Sequence, residues 1–481
     1  MQGRVVYDTA RARWIFIAVG PYTTASQPLL VAVSQTDDPT GNWLLYKVEL
    51  QTGFREAVFL RARLGVNKNW IAVSVARLDD YGGPLESRVF AFDKEALYAG
   101  RGTFKAWKVS HTEAGRSWVA SFCPAQTLDN TPTMFLVENG SSENGTLRVS
   151  TITGAVGAET LTIGVGSPTS SRSWSSRPTN DLDLAPQLGR PNKIYMDDAS
   201  MRSVVCRNGS IWAAHTVFYP ASGSPTRSSI QVWELDATSL EVKQLFTVDD
   251  PTGLEFYGYP SVAANGNGDV LVGYSRFSST TFASAAYSFR KSGDPLSTLP
   301  ASQLLKAGEA SYYKADYRNF WGTVSSTCVD PSNDSDFWTI QEYAALPSQL
   351  SDRWATWWGK VPGSAAPSVA SWVITMSKST YGIGDTITAT EFGPRSGAAS
   401  TAVRIEITLT VPTIGKVILV DIGGDGSFVL PANTNVNLGP LQLVAVASSF
   451  PPKGAWSLDS KVTTPTTGVL IAQDVNPFVV Q

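Results

Sequence analysis

The chain is poor in the residues from which most metal and nucleophile sites are made. Its 481 residues include two histidines, His111 and His215, and three cysteines, Cys123, Cys206 and Cys328. Two histidines exclude a His-rich metal centre, and a Ser–His–Asp site would have to be built on one of them. Three cysteines allow one disulfide at most, and no Cys-x-x-Cys spacing is present, so thiolate zinc frameworks are excluded. Charged residues make up 16% of the chain, against about a quarter in an ordinary globular domain. The formal net charge is −3. No block of Lys or Arg occurs, which speaks against nucleic acid or an anionic membrane surface as partner. No run of 18 apolar residues exists, so no helical membrane span is expected.

What fills the chain instead is Gly, Pro, small polar residues and aromatics, with 15 Trp, 16 Tyr and 20 Phe. That composition suits short strands joined by many turns. A repeat runs through it: an apolar strand, a polar turn, then a second apolar or aromatic strand. Tyr7, Val66, Cys123, Cys206, Ala264 and Cys328 mark six copies, spaced 59, 57, 83, 58 and 64 residues apart. The turns are Asn67-Lys68-Asn69, Asn208-Gly209, Asn265-Gly266-Asn267-Gly268 and Asp330-Pro331-Ser332-Asn333-Asp334, the residues tight hairpins need. Two further strand-like runs follow the pair, at 29–33 and 43–48 in the first unit and 230–235 and 242–248 in the fourth. Four strands per unit, repeated at this period, predict a six-bladed β-propeller over residues 1–362. The long gap holds a loop-rich insertion at 164–192. The last unit has three strands, at 322–330, 337–343 and 353–361, and lacks a fourth. Since propellers close by borrowing a strand from the other terminus and only 1–3 precede the first strand, the sequence is expected to be a trimmed form with an added start Met. Cys206 and Cys328 fall at matching places in non-neighbouring units, too far apart to bridge, and are expected to be buried free thiols, as is Cys123 at the end of an inner strand.

Pro362-Gly363-Ser364-Ala365-Ala366-Pro367 reads as a linker, 363–367. Beyond it, residues 368–481 hold seven alternating runs and turns such as Gly423-Gly424-Asp425-Gly426, the pattern of an immunoglobulin-like β-sandwich. The fold class is therefore all-β, with the sandwich as a spacer or second contact surface.

Ser34-Gln35-Thr36-Asp37-Asp38-Pro39-Thr40-Gly41-Asn42-Trp43 resembles the Asp-box turn of sialidase-like propellers. The runs Val329-Asp330-Pro331, Phe337-Trp338 and Glu342-Tyr343-Ala344, with 88–100, resemble bacterial secreted proteins that join such a propeller to an immunoglobulin-like domain. The resemblance implies an extracellular or cell-surface location. Sialidases also carry three carboxylate-clamping Arg, a Tyr–Glu nucleophile pair and an acid Asp. No ordered set of these is legible here, so the likeness specifies fold and does not imply sialidase activity.

A ligand site is expected at the channel mouth, where loops enter the innermost strands. Three stretches are candidates: Glu255-Phe256-Tyr257-Gly258-Tyr259, Asp316-Tyr317-Arg318-Asn319-Phe320-Trp321, and Asp183 leading to Arg190. Tyr257, Tyr259 and Trp321 would stack on sugar rings, while Arg318, Arg190 and Asp183 would hold polar groups. For an enzyme, the catalytic candidates are Glu255, Asp316, Glu342 and Tyr317, as carboxylates facing each other across a pocket cleave glycosides. Asp330, Asp334 and Asp336 are turn residues whose oxygens would suit calcium, with no other cofactor expected. Two readings follow: a surface protein binding a glycan or protein ligand, and a glycoside hydrolase or lyase. Exposed edges of the incomplete last blade would favour self-assembly.

Overall fold

The computed structural model describes residues 3–21, 26–52, 57–79, 84–113, 116–118, 121–178, 183–314, 318–322, 325–349, 351–363, 371–396, 401–431, 436–448, 452–465, 468 and 470–481. The chain divides into two compact units, Met1–Gly363 and Ser364–Gln481. Strand dominates both. Among the described residues the one helix is Lys94–Tyr98, started by Asp93, whose carboxylate accepts from the Ala96 amide.

In the first unit the strands follow one another as antiparallel meanders. Blade 1 is Gly3–Asp8, Arg13–Val19, Ser26–Ser34 and Trp43–Thr52. Blade 2 is Ala57–Val66, Trp70–Asp79, Pro84–Asp93 and Phe104–Val109, and blade 3 is Cys123–Pro124, Met134–Asn139, Leu147–Thr153 and Thr160–Gly166. Blade 4 is Met201–Arg207, Ser210–Tyr219, Arg227–Asp236 and Val242–Val248, and blade 5 is Glu255–Ala264, Val270–Ser278, Thr281–Arg290 and Gln303–Lys306. Blade 6 has three strands, Ser326–Val329, Phe337–Ser348 and Ser351–Val361. Residues at or beside the first strand of all six border one axial cavity, so the sheets stand around a common axis as propeller blades. Each of the six sequence markers lies on the first strand of its blade. The predicted turns work as expected: Asn208 and Gly209 take φ of 51° and 71°, the left-handed pair that a two-residue hairpin demands. The Asp-box turn links the outer two strands of blade 1. There the Asp38 carboxylate accepts from the Thr40 amide and hydroxyl, and Trp43 donates to the Pro39 carbonyl. The stretch expected to be loop between blades 3 and 4 contains a hairpin, Asp183–Gln187 with Arg190–Tyr195.

Blades are joined by side chains packed face to face. In Ser210–Tyr219 every residue is buried, because both faces of the strand are covered. Ile17 and Val31 meet Phe59 and Val73 between blades 1 and 2, and Trp70 and Val89 meet Met134 and Leu136 between blades 2 and 3. Phe135 and Val149 meet Val204 and Trp233 between blades 3 and 4; Trp212 and Val232 meet Val262 and Val272 between blades 4 and 5. Leu271 meets Phe337 and Val361 between blades 5 and 6. Among the described residues, none of these clusters spans blades 6 and 1. Instead a cleft of about 560 Å³ lies there, bordered by Val5, Tyr7 and Trp14 on one side and Cys328, Trp338 and Ile340 on the other. This corrects one expectation. Cys123 and Cys206 are buried free thiols, but Cys328 is exposed, because its side chain faces the unfilled cleft rather than a packed blade.

A short strand, Gln126–Thr127, runs alongside the first strands of blades 2 and 4 and links them. It pairs in parallel with Val66 of blade 2 and with Val205 and Cys206 of blade 4. Gly65 makes room for it, since a Cβ there would lie 2.5 Å from the Ala125 carbonyl oxygen. Gln126 borders both the axial cavity and the cleft below it.

In the second unit a three-stranded sheet (Ser371–Met376, Thr386–Arg395, Leu441–Ala445) and a five-stranded one share a single core. The larger contains Thr380–Tyr381, Leu470–Val480, Gly454–Thr463, Arg404–Val411 and Gly415–Ile422. Trp372, Ile387, Ile405, Ile407, Leu458 and Phe478 fill that core.

Candidate functional site

The upper end of the channel, where the first strands begin, is marked by bent backbone. Pairing of Ala57–Val66 with its neighbour slips between Leu60 and Arg63, and pairing of Glu255–Ala264 slips between Gly258 and Ser261. Arg61 and Tyr259 lie inside these bulges with φ of 57° each, and Asp197, just ahead of blade 4, has the same φ. A left-handed conformation at a side-chain-bearing residue costs on the order of 1–3 kcal/mol and persists where the surroundings enforce it. Bulges of this kind re-aim side chains beside sites.

The three strained residues belong to one hydrogen-bonded cluster. Arg61 donates to Asp198 at 2.6 Å, to Asp197 at 3.1 Å and to the Ser200 hydroxyl at 3.1 Å. Arg202 donates to the other oxygen of Asp197 at 2.6 Å. The Tyr195 hydroxyl donates to Asp197 at 3.0 Å, and the Tyr259 hydroxyl donates to the Tyr195 carbonyl at 2.5 Å. The Arg202 guanidinium lies 5.4 Å from the Tyr259 ring centre. Arg61 and Asp198 form the wetter edge, with side chains 25% and 29% exposed. Burial alone would raise the Asp198 pKa; the Arg61 and Arg202 guanidiniums outweigh it and hold the carboxyl well below the usual carboxylate range. Burial, then the charge of Asp197, pushes the Tyr195 hydroxyl well above its ordinary value. Asp198 is therefore an ionised acceptor held in place by guanidinium donors, beside two tyrosines that stay protonated.

The candidates expected from sequence are distributed around this cluster rather than within one pocket. Tyr259 is a member. Glu342 is buried and seated over Gly322, where a Cβ would come 2.1 Å from its Oε1; its charge acts on Arg4, Tyr259 and Tyr312. Glu255 through Tyr259 are not a loop: they begin the first strand of blade 5, because Asp250 caps the preceding turn by accepting from the Thr252, Leu254 and Glu255 amides. Glu255 makes a forked ion pair with Arg276 at 2.7 and 3.0 Å. Tyr257 is buried edge-on against Tyr274. Trp321 is buried against Phe277 and Tyr312 and donates to the Ser275 hydroxyl. Asp183 accepts from the Asn319 amide, and Arg318 lies 6.0 Å from the Tyr195 ring centre. Arg190 pairs with Asp352 at 3.2 Å and donates to Ser311. Asp316 and Tyr317 lie outside the described residues. In the turn considered for calcium, Asp334 pairs with Arg207, Asp336 with Lys360, and Asp330 accepts from Ser332 and Trp338. Among the described residues, no group of three or more His, Cys, Asp or Glu is arranged to hold a metal ion.

Sequence reasoning missed Arg61, Asp197, Asp198 and Arg202. One regularity pointed toward this end of the channel: an Arg stands three residues ahead of the marker in the first two units, Arg4 before Tyr7 and Arg63 before Val66.

No model of a known protein family matches the sequence, and no curated protein matches it. Among solved structures, the chain is similar to an α-L-arabinanase from Penicillium chrysogenum complexed with arabinobiose (11% identity, 63% of this chain and 93% of that one, TM-score 0.32). It is also similar to an exo-β-1,3-galactanase from Phanerochaete chrysosporium with β-1,3-galactotriose (10%, 99% and 94%, TM-score 0.33). A third is the N11 neuraminidase-like protein of a flat-faced bat influenza virus (10%, 88% and 88%, TM-score 0.29). Superposition this loose leaves function to be read from the chain's own side chains.

Proposed function

We propose that the propeller is the recognition unit of an extracellular or cell-surface protein and holds a glycan at the upper end of its channel, with the second unit, read as an immunoglobulin-like sandwich, as spacer or second contact surface. The observation that carries this is the Arg61–Asp197–Asp198–Arg202 cluster built on three strained residues. Alternating fixed donors and acceptors match the vicinal hydroxyls of a sugar, and strain at the bulges is the cost of holding them ready. Glycoside cleavage requires one carboxyl that carries a proton near neutral pH. Asp198 is held ionised and Glu255 is bridged to Arg276, which supports holding over cutting. The second reading, a hydrolase, is favoured by one observation, the buried Glu342 beside Tyr259 and Tyr312.

The test is a glycan array on the whole protein, each bound glycan then incubated and checked for shortening. Binding without cleavage is the expected result, weakened at least tenfold by Arg61→Ala in a variant whose thermal unfolding confirms that it folds. Silence on the array would remove the proposal. Shortening that stops in Glu342→Gln would replace it with the hydrolase.

A further inference from the structure

Below the strained cluster, three guanidiniums from three blades border one cavity of about 70 Å³: Arg4 of blade 1, Arg63 of blade 2 and Arg202 of blade 4. Arg63 and Arg202 are 4% and 8% exposed. Arg63 Nη2 and Arg202 Nε are buried and have no hydrogen-bond partner in the protein. The other bonds here are long: Arg63 Nε donates to the Met201 carbonyl at 3.4 Å, and Arg4 Nη1 to the Ser325 carbonyl at 3.5 Å.

The charges do not balance. Among the described residues that act on one another here, Arg4, Arg61, Arg63 and Arg202 face Asp197, Asp198 and Glu342, four positive groups against three negative. Asp197 and Asp198 are engaged from above by Arg61 and Arg202. The Cys123 thiol also borders the cavity, but burial raises its pKa and keeps it neutral. Burial, then repulsion from Arg4 and Arg202, brings the Arg63 pKa down to about 9. A buried cation without a counter-charge is among the costliest arrangements in a protein interior, and paired ions are the rule.

We infer that this cavity is a binding site for a small monovalent anion, a halide or a one-carbon carboxylate, gripped by Arg4, Arg63 and Arg202. The walls suit it, because no carboxylate lines the space, and the Ser203, Ser261 and Thr327 hydroxyls that border it are bonded to one another or to the protein and leave the guanidiniums as the charged groups facing it. Size sets the class. A site of about 70 Å³ is several times the ~10–15 Å³ needed for one water, enough for an ion with its remaining waters and too small for a sugar ring. The anion would neutralise the ring of arginines and tie three blades together, which is a role separate from glycan recognition at the mouth.

The test is thermal unfolding of the whole protein in sodium gluconate at constant ionic strength, with chloride, bromide or formate replacing gluconate. A ligand that binds only the folded state stabilises it in proportion to the logarithm of its concentration, so the midpoint is expected to climb with at least one of these anions. The choice between halide and formate identifies the source. Arg63→Met is expected to abolish the dependence while its midpoint in gluconate stays equal to the parent's or rises, because the uncompensated charge is gone. Should that variant fail to fold, Arg63→Lys is expected to raise the half-maximal anion concentration at least tenfold. Identical curves in all salts would overturn the inference, as would an anion response undiminished in either variant. An anion response without glycan binding upholds this site and removes the proposed function; glycan binding without an anion response does the reverse.

Discussion

The join between blades 3 and 4 and the seam between blades 6 and 1 are made from the same kinds of strand, yet their interiors are opposite. At the first, Trp174, His215 and Trp233 are fully buried and meet edge to face, with ring centres 5.2 and 6.0 Å apart. At the second, Val5 is paired with Phe16 and Ile340 with Trp358, and these four are 52%, 37%, 37% and 64% exposed. The difference lies in what covers each face. Apolar surface stabilises only where it leaves water, at roughly 25 cal/mol per Å², so five joins hold the ring together and the sixth adds little.

The sharpest way to break the comparison is to cut matching tryptophans. Trp233→Ala is expected to lower unfolding free energy by about 3–5 kcal/mol, since it leaves a large cavity and strips His215 of a donor at 3.2 Å. Trp358→Ala is expected to cost about 0.5 kcal/mol or less. Urea denaturation of both decides it; equal losses would mean that the seam is sealed after all.

The packed join also predicts an acid sensitivity. His215 Nδ1 lies 3.1 Å from the Ala199 carbonyl oxygen, and Nε2 lies 3.2 Å from both the Trp233 indole nitrogen and Gln231 Oε1. Burial lowers the His215 pKa from 6.5 to about 4. The unfolded chain therefore binds a proton that the folded chain refuses between those values. Stability is full above pH 6.5 and falls as pH drops toward 4, by up to about 3 kcal/mol. Denaturation followed across this window should show that slope, and His215→Gln should flatten it. Carboxylates with depressed pKa values, Asp198 among them, lose their contribution at lower pH.

Two cysteines at equivalent places make a finer probe. Cys206→Phe would overpack the join and is expected to cost about 1–3 kcal/mol. Cys328→Phe points into the cleft and is expected to be neutral or to stabilise by up to about 1 kcal/mol by filling it. The smallest perturbation is a label: native protein should present one thiol that a reagent modifies ahead of the others, slowed by the burial and the Asp330 charge that raise its pKa, and absent in Cys328→Ser. Two or more fast thiols would show that the packed joins also open.

Cys328 also shows where the sequence stopped being legible. Strands and turns are local: alternation and Asn-Gly pairs fix them within ten residues, which is why all six markers fell on first strands and the three-stranded last blade was expected as such. Burial of a blade face depends on its neighbour around the ring, and repeat position alone carries no sign that one neighbour stands apart. The site was hidden for a related reason. Arg61 meets Asp197 and Asp198 across more than a hundred residues, and no local pattern marks either partner. Glu255 and Trp321 looked like mouth residues because they flank polar aromatic stretches, while an ion pair and a ring cluster absorb them.

The strand at Gln126–Thr127 is a backbone stitch laid between the first strands of blades 2 and 4. It is made of backbone pairing to both neighbours, which does not depend on the side chains those strands carry, so substitutions in the facing side chains leave the tie between the two blades in place. Gln126 borders the polar axial cavity and the apolar cleft alike, so one residue of the stitch faces two different chemistries.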